Sequence, residues 1–432
     1  MRRTSLTVLA VALSTSALAA IGCSSSGSSS TLARGGGGAD DDPASGANAS
    51  SPSSGAGPAT PQPGPGGTPP ANAGGEDAGV DASTVLDSRV LDYGEALRTA
   101  SLKLVGDLPD MGQITALEAA TSPTQAASIY EADITAMLAD PRFATQMIQY
   151  FRDTFKTGEP YGVTTKGAPS YDTAATFAAM VVVNKQPFTN ILTATTGTCP
   201  TYANGTFTTA SCANGAPTAG VLTDPGIQSQ YFEHMAFRRV RFVQETFVCS
   251  PFPAEYSTSP VPMGQSIYTS PWSFDSITGG PTAPINFQDT SAVICANCHT
   301  TSNHIAPLFA YFDDNGKYFP GQIQVQTPVT PAVTSQLSDW LPVGEQTFAW
   351  RDGTPVTDIP SLAQAMAADP DIATCAVNRV WDWAFSRGDI VNDLATVPTD
   401  VTAPIVASFT SNGMNLQQVI HDVFTSDDFV RF

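Results

Sequence analysis

The residues best suited to chemistry lie in one pentapeptide, Cys295-Ala296-Asn297-Cys298-His299. Cys-x-x-Cys-His is the attachment sequence of c-type haem. Two thiols on one helical turn meet the two haem vinyl groups, while the imidazole of the adjacent His faces the iron. With seven Cys and four His in 432 residues, chance would produce this pentapeptide about once in a thousand such chains. The sequence therefore predicts one covalent haem c, held by Cys295, Cys298 and His299.

Two other interpretations of the pentapeptide stay open. Cys295 and Cys298 could form a local disulfide or redox pair, with His299 as a bystander. A zinc site that also uses His304 is the second interpretation, although zinc ligand pairs are usually spread over two separate segments.

Met366 is the candidate sixth ligand of the iron, because c-type cytochromes commonly use a Met from a later segment. It lies in a helical pattern over Ser361–Ala368, where a Met is also an ordinary core residue. His304 is too close to His299 to cross the haem, and His234 and His421 are interpreted as polar-face residues. Five-coordinate iron therefore stays an alternative.

Charge and composition limit the partners of the chain. Asp plus Glu number 39 against 19 Lys plus Arg, a net charge of −20, which argues against nucleic acid. A hydrophobic content of 42% suits one large or two medium globular domains. The first aromatic residue is Tyr93, so we expect the folded part to begin near it.

The N-terminus has the features of an export signal. Arg2 and Arg3 precede a short apolar run, and Ala20-Ile21-Gly22-Cys23 resembles a bacterial lipobox. We predict a lipoprotein signal peptide over residues 1–22, lipidation of Cys23, and a location in the bacterial cell envelope, on the periplasmic or surface face of the outer membrane. Ordinary cleavage, with Cys23 incidental, is the alternative. Residues 23–84 are Ser/Gly/Pro-rich and are predicted to be a disordered tether.

The remaining sequence predicts a mainly α fold with few short strands. We expect a helical module over 85–250 and a cytochrome-c-like and C-terminal helical module over 251–432. The predicted helices are a run that starts at Ser122-Pro123 and stops at Asp140, then 142–156, 172–184, 228–249, 372–385 and 416–424. Asn204-Gly205 predicts a type I′ hairpin over 201–208.

Four further cysteines should be paired in an exported protein. Cys199 and Cys212 flank the predicted hairpin, although its register places residue 199 opposite residue 210, so that a bulge or a frayed end is required. Cys249 with Cys375 follows by elimination, and this disulfide would join the two helical portions.

Residues from about 90 to 432 resemble the multidomain, cytochrome-c-like exported proteins of planctomycetes and myxobacteria, whose domains were largely named as of unknown function. The resemblance lies in three groups of residues. The first is 138–143 with 150–153 and 186–194. The second is 220–223, Arg238-Arg239 through Cys249, and Pro251, leading into the haem motif, after which Phe312-Asp313 and Gly316 hold family positions. The third is 375–388. One departure is Asn303-His304-Ile305-Ala306, where that family usually has Asp-Pro-x-Gly. The resemblance implies a helical fold and a haem, but no particular reaction.

Three functions follow as hypotheses. The first is an envelope lipoprotein that transfers electrons through its haem to a redox partner protein or another envelope component. The second is a haem-dependent enzyme or an oxidoreductase subunit, so whether the chain is an enzyme stays open. The third is a structural or carbohydrate-binding surface lipoprotein without haem. Neither Gly-x-Ser-x-Gly nor His-Glu-x-x-His occurs in the sequence.

We expect Cys23→Ala to release the protein from the membrane, because stable anchoring of such a chain depends on its acyl groups. Membrane and soluble fractions of the expressing cells, probed for the protein, provide the measurement. Membrane association of the variant at the wild-type level would contradict lipidation at Cys23.

Overall fold

The computed structural model describes residues 88–158, 169–232, 236–250, 302, 304–324, 348–351, 353–386, 397 and 399–432. Contacts divide the chain into two units, Met1–Gly75 and Glu76–Phe432, and every described residue belongs to the second. The described residues are 61% helical and 7% strand, which confirms the mainly α prediction with few short strands. The predicted signal peptide and tether lie outside the described residues. No described helix has both the length and the apolar composition needed to cross a membrane.

The described helices are joined by loops and two small hairpins. In chain order they are α1 Tyr93–Leu104, α2 Met111–Glu118, α3 Pro123–Ala139, α4 Pro141–Phe155, α5 Thr173–Val183, α6 Asn190–Thr193, a 3-10 helix Gly220–Thr223, α7 Pro225–Gln230, α8 Phe237–Val248, α9 Ile359–Ala368, α10 Pro370–Ala384, α11 Thr399–Ser411, α12 Leu416–Phe424 and α13 Asp427–Val430. Residues 304–309 are also helical. The strands are β1 Thr201–Ala203, β2 Thr206–Thr208, β3 Phe348–Ala349 and β4 Pro355–Val356.

Three helices begin at an Asp-Pro pair. Asp140, Asp224 and Asp369 each accept a hydrogen bond from an N–H group of the first turn that follows. The next residue is Pro, whose fixed φ suits the first helical position and whose missing N–H is not needed there. These pairs therefore set the starts of α4, α7 and α10 locally.

The predicted helix over 228–249 is wrong as one element. α7 ends at Gln230, and α8 begins at Phe237 after Ala236, whose φ of 59° is left-handed. An α-helix cannot continue through a left-handed residue. α7 and α8 are therefore two separate helices, and the Arg239 side chain of α8 donates to the Gln228 carbonyl oxygen of α7.

The predicted hairpin is confirmed. β1 and β2 are antiparallel, with Thr201 opposite Thr208. Asn204 and Gly205 both have positive φ, 51° and 77°, as a type I′ turn requires. The N–H of Cys199 donates to the carbonyl oxygen of Ala210 at 2.9 Å, so residue 199 faces residue 210 as expected. Cys212 lies on the frayed end beyond the ladder.

Both predicted disulfides are present. Cys199 is joined to Cys212 with a Cα–Cα distance of 5.1 Å, and Cys249 to Cys375 with 5.3 Å. The second links the C-terminal end of α8 to α10, so it connects the two portions of the sequence. Each such cross-link contributes roughly 2 to 4 kcal/mol to stability.

The C-terminal helices pack onto the first helices of the unit. The hydroxyl of Tyr130 on α3 donates to the carbonyl oxygen of Phe424 at 2.7 Å, and the Gln417 amide donates to the carbonyl oxygen of Leu138 at 3.2 Å. The N–H of Val90 donates to the Phe432 carbonyl oxygen at 2.9 Å. One core therefore includes residues from both ends. The module boundary predicted after residue 250 lies beside the undescribed stretch 251–301 and stays a prediction.

Candidate functional site

The predicted haem ligands Cys295, Cys298 and His299 lie outside the described residues, as do Cys23 and His234. Close to the motif in sequence, the structure describes the segment downstream of it, residues 302 and 304–324.

That downstream segment is apolar and buried. His304 has no exposed surface, and Phe309 and Phe312 are 1% and 0% exposed. The apolar side chains of this helical turn belong to the main core. The chain therefore enters the protein interior a few residues after the motif.

Met366 is completely buried on α9, which packs against α6 and the 3-10 helix. It belongs to the same continuous core. Its burial agrees with a core role and leaves its role as a haem ligand a prediction. His421, on α12, retains 20% of its side-chain exposure and lies 3.4 Å from a carboxylate oxygen of Asp422.

A buried guanidinium, that of Arg239 on α8, lies next to the segment. Arg239 is 1% exposed. Its Nε and Nη2 donate to the Gln228 carbonyl oxygen at 3.1 and 2.6 Å, and Nη1 donates to that of Phe309 at 2.7 Å. Further bonds reach the carbonyl oxygens of Phe312 at 3.2 Å and Asp313 at 3.1 Å. One side chain therefore joins α7, α8 and the segment that follows the haem motif.

Burial lowers the pKa of Arg239 to about 9, and the nearby Asp313 carboxylate opposes this shift. The guanidinium therefore stays charged at neutral pH. The rings of Phe232 and Phe312 lie 5.3 and 5.8 Å from it, within the range of cation–π attraction.

The turn after Phe312 is held from two sides. The Asp313 carboxylate accepts from the N–H groups of Asn315 and Lys317 at 2.9 and 2.8 Å. Gly316 has a φ of 68°, and a Cβ there would collide with the backbone of Pro225. The Asn214 amide donates to the Gly316 carbonyl oxygen at 3.1 Å. The backbone of the turn that the family resemblance includes is therefore held by hydrogen bonds with two side chains and by close packing on Pro225.

A second group of reactive atoms lies beside the hairpin. The sulfurs of Cys199 and Cys212 and a carboxylate oxygen of Asp224 lie within 4.8 Å of one another. Because the sulfurs share a disulfide, neither is a thiolate able to bind a metal. Asp224 is 1% exposed, and burial raises its pKa to about 7 against the opposing N–H groups of Ile227 and Gly226.

An open cleft of about 730 Å³ lies between the hairpin, α3, α5 and α12. Its lining combines Asn184, Lys185, Phe207, Gln418 and His421. Amide, cationic and aromatic groups together suit a polar small molecule. Sequence reasoning identified His421 but not the cleft, because its walls come from segments far apart in the chain.

Sequence reasoning also missed the burial of Arg239 and Asp224. Arg239 was visible only as part of the Arg238-Arg239 resemblance, and Asp224-Pro225 has the signature of a helix start. Neither pattern indicates complete burial.

No protein-family model, curated protein or solved structure matches this chain. The relation to the cytochrome-c-like exported proteins therefore rests on the residues quoted for it and stays a resemblance.

We expect Arg239→Met to lower the free energy of unfolding by at least about 3 kcal/mol, because several buried carbonyl oxygens lose a charged donor. The matched control is Arg238→Met. Arg238 is exposed, and its guanidinium lies 5.9 Å from the ring of Tyr231, so a change within about 1 kcal/mol is expected. Urea unfolding measures both, and equal losses in the two variants would contradict the role of Arg239.

Proposed function

We propose that the protein is an envelope lipoprotein that carries one covalent c-type haem and transfers electrons. The observation that supports this most is the distribution of the seven cysteines. The disulfides Cys199–Cys212 and Cys249–Cys375 use four of them. Lipidation of Cys23 would leave Cys295 and Cys298, the two thiols of the haem motif. Disulfides also agree with export, and covalent haem attachment takes place outside the cytoplasm.

The described residues are compatible with a haem at the motif. A c-type haem supplies one-electron oxidation and reduction when it is bound. Cys295 and Cys298 would hold it covalently, and His299 would bind the iron. The buried apolar turn at 304–309 would continue from the motif into the core, and a haem favours such a non-aqueous environment.

The charge of the chain points to the kind of redox partner. A net charge of −20 would attract a partner with a basic surface and speed its encounter at low ionic strength. We therefore propose a basic electron-transfer protein of the envelope as the partner. The acidic character disfavours nucleic acid, and contact with the membrane would come through the lipid on Cys23.

One observation favours the second candidate function, a haem-dependent enzyme or oxidoreductase subunit. Met366 is fully enclosed by the core, where it already has a packing role. If it stays there, Met366 would not bind the iron, and the haem would be available to a substrate. The spectrum of the iron separates the two functions.

We expect the wild-type chain, made together with a haem-maturation system, to carry covalent haem with a c-type reduced-minus-oxidised spectrum. Cys295→Ala with Cys298→Ala should abolish the covalent haem, and His299→Ala should abolish the native spectrum or block maturation. Cys23→Ala is the matched control and should keep the haem. A colourless wild-type protein in which peptide mapping finds a Cys295–Cys298 disulfide would contradict the proposal and favour the structural or carbohydrate-binding lipoprotein.

We expect Met366→Leu to remove a Met–iron absorption band at the red end of the visible spectrum, because the thioether ligand is lost. Leu nearly conserves the volume, so packing should change by less than about 1.5 kcal/mol. Met147→Leu is the control, since Met147 is equally buried on α4. A wild-type protein that lacks the band and binds carbon monoxide would contradict Met366 as ligand and favour the haem enzyme.

A further inference from the structure

We propose that the Cys199–Cys212 disulfide is a thiol–disulfide exchange site in which Asp224 carries the proton that accompanies cleavage and formation of the S–S bond. The co-reactant is a dithiol, such as that of an envelope thiol reductase. The inference does not depend on haem.

The first support is the position of the Asp224 carboxyl group. Its Oδ1 accepts the N–H of Ile227 at 3.0 Å, and its Oδ2 lies 3.9 Å from the Cys199 Sγ. One oxygen therefore caps α7, while the other is close to the sulfur. Asp224 is almost completely enclosed, so bulk water competes little for its proton. Its pKa near neutrality suits a group that both donates and accepts a proton.

The second support is access. Cys199 and Cys212 are both partly exposed, so a thiol from solution can approach the disulfide. In the other disulfide Cys249 is partly exposed, but Cys375 is 2% exposed on α10. Within the described residues, Cys199–Cys212 is therefore the disulfide in which both cysteines are accessible.

The third support is the hairpin, which keeps the two thiols together after reduction. The β1–β2 pairing and the hydrogen bond from the Cys199 N–H to the Ala210 carbonyl oxygen do not involve the sulfurs. The reduced thiols would stay close, and re-oxidation requires little reordering of the chain.

Reduction takes two steps. A thiolate of the reductant attacks the Cys212 Sγ, a new S–S bond forms there, and the Cys199–Cys212 bond breaks. The electron pair of that bond goes to the Cys199 Sγ, which takes the proton of Asp224 and leaves a carboxylate. The second thiolate of the reductant then attacks its own sulfur in the mixed disulfide and releases Cys212 as a thiolate.

The products balance in electrons and protons. The reductant leaves as a disulfide after giving two electrons, and both cysteines become thiols once the Cys212 thiolate and Asp224 take protons from water. The Thr198 hydroxyl lies 3.5 Å from the Cys212 Sγ and can donate to the departing thiolate. Re-oxidation reverses the steps, with the Asp224 carboxylate accepting the Cys199 proton.

A merely structural role of Asp224 has to be separated from proton transfer, because the residue also caps α7. Asp224→Asn keeps an oxygen that can accept the Ile227 N–H but has no titrating proton. Asp92→Asn is the matched control, because Asp92 caps α1 through its side chain and should not affect the hairpin.

The experiment measures reduction of each disulfide in the full chain by dithiothreitol, with rapid alkylation and peptide mapping, from about pH 6 to about pH 8. Each rate is divided by the dithiothreitol thiolate concentration. In the wild type and Asp92→Asn, this rate at Cys199–Cys212 should fall about tenfold over the range, as Asp224 loses its proton. In Asp224→Asn it should be independent of pH and at least about tenfold below the wild type at pH 6.

Three results would overturn the proposal. One is the same pH profile in Asp224→Asn as in the wild type. Another is equal reduction rates at the two disulfides, which would mean that the surroundings of Cys199–Cys212 give no advantage in exchange. If Asp224→Asn does not fold, the wild-type profile decides, and a thiolate-corrected rate that stays level between pH 6 and pH 8 excludes Asp224 as the proton carrier.

Discussion

The burial of one charged side chain, Arg239, constrains the described structure more than any other contact. Removing a guanidinium from water costs several kcal/mol, so its donors must meet acceptors. Here the acceptors are the carbonyl oxygens of Gln228 and of three residues between Phe309 and Asp313. Carbonyl groups at the ends of helices carry partial negative charge, so the charge is stabilised where two helical segments end. The ends of those segments must therefore meet at the Arg239 guanidinium.

This constraint extends to the turn after Phe312. Arg239 binds the Asp313 carbonyl oxygen, while Asn214 and the backbone of Pro225 enclose Gly316. The chain that follows the predicted haem motif is therefore fixed by protein contacts at this turn. Under the proposed function, this part of the chain would hold one side of the site before haem attachment and limit reorganisation during electron transfer.

The two disulfides show how the environment decides what a cysteine pair does. Cys375 is buried on α10, where its cross-link to Cys249 at the end of α8 joins residues 126 positions apart. Cys199 and Cys212 lie at the frayed end of a hairpin, partly exposed and beside the carboxyl group of Asp224. The bond is the same in both places, but the burial of the second cysteine and the presence of a nearby carboxyl group differ. Exchange depends on access, and under our proposal the carboxyl group increases its rate.

The sequence by itself determined the local features and the cysteine pairs. Some signals act over a few residues and can be recognised without the fold. They are Asn204-Gly205, the Asp-Pro pairs and the apolar stripe over 416–424. The weakly amphipathic α2 has no buried residue, and the sequence did not predict it. Only the tertiary structure decided the break before α8, the burial of Arg239 and the approach of Asp224 to Cys199. These features depend on packing against segments that are distant in the chain. No local sequence pattern encodes such packing.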